Sequence, residues 1–124
     1  MRAKTVIKAL VELIEPVCKN VYFGRSRVCY PKVVGDLRQL TDDGYAVGFR
    51  LVLDIYTDDD DIISAYDIAD DIRAVLSQQQ GFVEGGCMRI YTEGTRYVVP
   101  EKDNDKITHV ADSYAVYFYR NKED

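Results

Sequence analysis

The clearest signal in the chain is an alternation of apolar and polar residues from position 45 to 57, YAVGFRLVLDIYT. Tyr45, Val47, Phe49, Leu51, Leu53 and Ile55 fall on one side; Gly48, Arg50, Asp54 and Tyr56 fall on the other. Side chains of a strand point alternately to its two faces, so this run predicts a long strand with one buried and one polar face. The TDDG before it, at 41–44, predicts a turn. Upstream, Val6, Leu10, Leu13, Ile14 and Val17 form a stripe at helical spacing over residues 5–17. Pro16 has no amide hydrogen to donate, so the helix is expected to end or kink near Glu15. Residues 21–24 and 28–40 read as extended, with Pro31 suited to an edge position.

An acidic stretch follows the alternating run. From Ala65 onward, Ile68, Ala69, Ile72, Val75 and Leu76 make an apolar helical stripe, while Asp60, Ser64, Asp67, Asp70 and Asp71 lie on its polar side. Asp58, Asp59, Asp60 and Asp61 then fall at the helix start. There a carboxylate caps free amides and meets the positive end of the helix dipole, and Gly81 is placed to end the helix in a left-handed cap. One cap contributes about 1 kcal/mol. Four neighbouring carboxylates repel one another, so capping leaves a charged face still to be explained. A divalent cation site is the competing reading, but DDDDIISAYDIA lacks the glycine and the glutamate of a calcium loop. Consecutive residues at a helix start also point in different directions.

The second half alternates again. Residues 86–94 and 95–100 read as strands, with 81–86 as a helix-to-strand turn and 101–106 (EKDNDK) as a charged loop tip. Residues 107–120 form a long last strand, with Val110, Tyr114, Val116 and Phe118 on one face and Tyr117 and Tyr119 on the other. The expected order is a helix, extended segments forming a hairpin, a helix, then two or three strands. This is an α+β fold: a single antiparallel or mixed β-sheet with two main helices packed on one face. Residues 1–124 are read as one domain, without internal repeats or a low-complexity linker.

Composition narrows the function classes. Twenty-one acids against 16 bases give a net charge of −5, which argues against a protein that wraps nucleic acid. Ten tyrosines and no tryptophan suit strands and half-wet protein interfaces. Cys18, Cys29 and Cys87 have no metal-finger or redox spacing and point to a reducing compartment. No apolar run approaches a membrane span, and no membrane association is expected.

Candidate chemistry is sparse. His109 is the single histidine, and Cys29 and Cys87 lie in no nucleophile motif. GFVEGG lacks the Lys and Ser/Thr of a phosphate loop. No catalytic, cofactor-binding or metal residue is assigned, and the chain is expected not to be an enzyme.

The order of features resembles the tail terminator (tail completion, minor tail protein) family of long-tailed bacteriophages and prophages. The likeness runs through nearly the whole chain: ALVELIEPV, then VYFG, then PKVVGDLRQL at 31–40, then the alternating strand before AYDIADDIRAVL at 65–76, then MRIYTEG and a last strand of alternating aromatics. The tip at 101–106 departs from the common pattern of an aspartate and a glycine in a tight turn. The resemblance implies a structural protein of the virion tail, at the head–tail junction, that assembles in the host cytoplasm. It implies a homo-oligomeric ring, usually a hexamer, that caps the tail tube protein, stops its polymerisation and meets the head–tail connector protein. DNA would pass through such a ring without specific binding. Candidate interface or lumen residues are Arg50, Asp54, Asp60, Asp67, Asp71, Lys102 and Asp103. Other readings stand beside this one: another head–tail neck or connector protein, a small cytosolic adaptor, or a small enzyme using Cys29 or Cys87 with His109.

Overall fold

In the computed structural model the alternating run becomes β3 (Ala46–Thr57), and the last stretch becomes β6 (Thr108–Arg120), its antiparallel neighbour. The structure describes residues 2–58, 62–77, 80–100 and 107–121. The other elements are α1 (Arg2–Ile14), β1 (Val21–Phe23), β2 (Lys32–Asp42), α2 (Ile62–Leu76), β4 (Gln80–Val83) and β5 (Gly86–Val99). All strands join one mixed sheet in the order β1-β2-β3-β6-β5-β4, and both helices pack on one of its faces. The α+β reading therefore holds.

Alternation decides which face is which. Val47, Phe49, Leu51, Leu53 and Ile55 of β3 are buried under the helices, with Val110, Tyr114, Val116 and Phe118 of β6 beside them. The α1 stripe Val6, Leu10 and Ile14 and the α2 stripe Ala65, Ala69, Ile72 and Leu76 close the same core at zero exposure. Burying each of the larger aliphatic side chains contributes about 1.5–3 kcal/mol, so this face sets strand register as well as stability. A slip of one residue would turn the whole set into water.

Several expectations are corrected. The two early extended segments do not form a hairpin with each other. β1 pairs parallel with β2, because residues 24–31 carry the chain back before β2 starts, while the antiparallel hairpin joins β2 to β3 around Gly44. Val28 is 90% exposed and outside any strand, and Pro31 directly precedes β2, an internal strand rather than an edge. Tyr45 stands in that turn at 76% exposure, not on the buried face, because Asp43 holds the Tyr45 and Ala46 amides there. The stretch at 81–86 is a hairpin between β4 and β5. Gly81 therefore sits in a strand, not at a helix cap, and Gly85 supplies the positive φ. The two predicted strands at 86–100 are one strand with an irregularity. Between the pairs Thr92↔Tyr114 and Arg96↔Asp112, β5 inserts residues 93–95 against the single Ser113. Helix α2 begins at Ile62; Asp58 is exposed at the end of β3, and the rest of the expected cap lies outside the described residues.

Candidate interaction surface

The helices cover one face of the sheet and leave the other open. Register places Arg50, Asp54 and Tyr56 of β3 on that open face, with His109, Ala115, Tyr117 and Tyr119 of β6 and Cys87, Arg89 and Tyr91 of β5. Its two ends differ in chemistry.

One end is aromatic. Tyr91 and Tyr117 meet edge to face, with ring centroids 5.9 Å apart, and Tyr117 and Tyr119 lie 6.5 Å apart. The Arg89 guanidinium sits 5.9 Å from the Tyr119 ring centre. Hydrogen bonding to Tyr91 pushes its pKa further up, so the charge is fixed. Cys87, Arg89 and Tyr119 line a depression of about 350 Å³. Tyr91, Tyr117 and Tyr119 are 42%, 38% and 38% exposed, so each keeps an edge in water. Tyrosine and arginine are the residue types enriched at protein interfaces.

The other end is polar and closed. His109, 7% exposed, has Nε2 2.7 Å from Asp54 Oδ1, and its ring stacks on Tyr56 at 4.1 Å. Lys32 Nζ lies 5.2 Å from the Tyr56 ring centre and 5.4 Å from that of Tyr30. Tyr22 and Cys29 share a hydrogen bond at 3.3 Å, which is the main reason the Tyr22 phenol is raised. Cys87 pairs with Tyr119 and His109 with Val99, at opposite ends of β6. Ten residues at about 3.3 Å each separate them by roughly 30 Å, so Cys87 and His109 are not brought together.

The helix side carries the opposite charge. Asp67, Asp70 and Asp71 are exposed along α2. Asp70 is tied to Arg96 of β5 at 2.5 Å, and Arg96 in turn grips the buried Asp112 of β6, which also accepts from Arg73. Asp67 and Asp71 have no ion pair among the described residues.

Of the sequence-derived candidates, Arg50 is on the open face, 3.8 Å from Glu93, a surface pair worth little. Asp54 is on that face too, but it is engaged by His109. Asp67 and Asp71 lie on the other side of the molecule, so these four do not form one site. Asp60, Lys102 and Asp103 lie outside the described residues. Sequence reasoning missed Arg89 and the Arg73–Arg96–Asp112 cluster. Asp112 left a signal, being a carboxylate at core parity between Val110 and Tyr114.

Among the described residues no group of three His, Cys, Asp or Glu side chains is placed to hold a metal ion, and no helix is long and apolar enough to cross a membrane. No protein-family model matches the chain. No curated protein sequence matches it either. Among solved structures, the fold is similar to that of a chain from the virion of a native gene transfer agent particle. The TM-score is 0.75 at 11% identity, over 94% of this chain and 96% of the other.

Proposed function

We propose that this chain is a virion structural protein that acts as a tail terminator. Copies close into a ring, a hexamer if the resemblance to tail terminators extends to subunit number, on the last layer of the tail tube. The ring stops tube growth and presents a landing surface to the head–tail connector at the head–tail junction. The observation that carries this reading is the likeness in fold, over nearly the full length of both chains, to a component of a gene transfer agent virion.

The architecture supports it physically. A closed ring needs two different patches on each subunit, joined head to tail. A sheet with helices on one face and arginines among tyrosines on the other supplies two unlike sides. The net charge of −5 suits a channel that lets DNA phosphates slide past without holding them. Assembly, rather than catalysis, is the proposed activity, with the tail tube protein and the connector as partners and the host cytoplasm as the place of assembly.

The test is tube capping. Purified chain is followed by light scattering at rising concentration and by electron microscopy, then added to polymerising tail tube protein. Rings at tube ends, and tubes that stop growing, are expected. Unchanged tube growth with no rings, in solution or on tubes, would overturn the reading. Binding to the connector alone would turn it into a neck protein.

A further inference from the structure

Two opposite sides of the molecule hold charges that have no countercharge among the described residues. On the open sheet face Arg89 lies among Tyr91, Tyr117 and Tyr119 with no carboxylate within ion-pair distance among the described residues. On the helix face Asp67 and Asp71, one helical turn apart, are exposed, with no cation in ion-pair distance among the described residues. We infer that the open sheet face around Arg89, Tyr117 and Tyr119 is a docking surface for a second copy of this chain, which presents Asp67 and Asp71 of α2 to it.

The patch is built for contact. Its tyrosines already rest against one another, so little side-chain freedom is lost on docking. A helix laid over it would remove water from the Arg89 guanidinium, and a carboxylate then interacts with it more strongly than in bulk solvent. The depression beside Arg89 leaves room for an entering side chain. Each copy owns both halves, on opposite sides of its sheet, so the contact is head to tail and propagates until its rotation closes. The inference thus deepens the ring reading and rests on it for closure.

A single nucleic acid strand is the competing occupant, since aromatic sheet faces with arginines also stack bases. The surface itself favours protein. Asp36, Asp54 and Glu93 share the open face, the whole chain is acidic, and Tyr91 meets Tyr117 edge to face, with Tyr119 tilted against Tyr117, so the rings rest on one another rather than standing as free plates.

The native thiol of Cys87 lies in the patch and allows a direct test. In a Cys29→Ser background, Asp67→Cys protein treated with a bismaleimide is expected to give a ladder of joined copies, and protein without the new thiol is not. Adding Arg89→Glu should lower the yield about tenfold or more, which is 1.4 kcal/mol of coupling, and adding Asp71→Arg to that protein should restore it. Circular dichroism checks each variant, and Asp71→Cys with Asp67→Arg repeats the design should the first thiol variant not fold. A ladder that closes at one size supports both the surface and the ring. An open-ended ladder without rings supports the surface and sinks the ring reading. Rings seen by electron microscopy without a ladder overturn the surface and leave the ring. No ladder, with a labelled single-stranded oligonucleotide bound only while Arg89 is intact, overturns it in favour of nucleic acid.

Discussion

Arg96 and Asp112 meet fork to fork across β5 and β6, Nε donating to Oδ1 at 2.8 Å and Nη2 to Oδ2 at 3.0 Å. Asp112 is 1% exposed on the helix-covered face, where a lone carboxylate would be strongly destabilising. Arg73 adds a third bond from α2 at 3.1 Å, and Arg96 reaches back to Asp70 on the same helix. The pair sits where β5 resumes its register after the irregular stretch, so it fixes that register and ties it to α2.

Arg96→Met is therefore expected to lower stability by about 3 kcal/mol or more, because it leaves a buried charge half compensated. Arg73→Met should cost less, since the two-point grip of Arg96 survives. Urea unfolding measures both through the midpoint, with the slope unchanged. Equal losses, or a loss of less than about 0.5 kcal/mol for Arg96→Met, the range of ordinary surface changes, would show that the cluster is not what holds β5 to α2.

Asp54 was a candidate for contact with other molecules, but its bond to His109 gives it an internal task. Asp54→Ala removes a hydrogen-bond partner from a ring that is 7% exposed. The expected loss is about 1–3 kcal/mol of stability, with ladder formation and ring assembly unchanged under conditions where the variant is folded. A folded Asp54→Ala protein that no longer assembles would return Asp54 to the interface.

Two glycines are predicted to answer differently to alanine. A Cβ on Gly86 would lie 2.0 Å from the Tyr119 carbonyl oxygen, which is backbone of the neighbouring strand and cannot turn aside. A Cβ on Gly35 would meet the Phe23 ring, a half-buried side chain on the edge strand that can yield by giving up part of its packing against the core, as a backbone carbonyl cannot. Gly86→Ala should cost about 2–3 kcal/mol and Gly35→Ala about 1 kcal/mol, both by overpacking. Thermal unfolding of the two variants ranks them, and the reverse order would mean that β5 can shift where it meets β6.

The core was legible because it repeats. Val47 to Ile55 at period two and Val6, Leu10 and Ile14 at helical spacing are local patterns, and the structure buries all of them. The parallel pairing of β1 with β2 was not legible, because nothing within VYF states its direction; the path of residues 24–31 decides it. Parity puts Tyr45 on the buried face but cannot show where a strand starts, and the Asp43 carboxylate starts it one residue later. The candidate surface divides in the same way. The shared face of Tyr117 and Tyr119 follows from alternation within one strand. Arg89 joins them only through a strand pairing that no local pattern records.

Tyr114 supplies a prediction in pH. It is fully buried, its hydroxyl has no aligned hydrogen-bond partner, and burial, with the Asp112 charge adding to it, pushes its pKa up to about 12. The Arg73 guanidinium nearby pulls the other way without prevailing. In the unfolded chain the same phenol ionises near 10. Below that pH both states keep the proton, and the contribution of this group to stability is complete. Between roughly 10 and 12 only the unfolded chain releases it, so stability falls as pH rises through this window. Cys18, raised mainly by burial, adds a fall of the same sign from its own lower range, but it is common to any pair of proteins that differ only at position 114. Tyr114→Phe should thus match the parent at neutral pH, or exceed it by about 1 kcal/mol, because it removes an unpaired buried hydroxyl. Above pH 10 its advantage should widen steadily. Urea midpoints of the two proteins, taken from neutral pH to about 11, measure the difference directly. Two curves that stay parallel over that range would mean that the phenol ionises in the folded protein as readily as in water, and that the cluster around Asp112 is open to solvent.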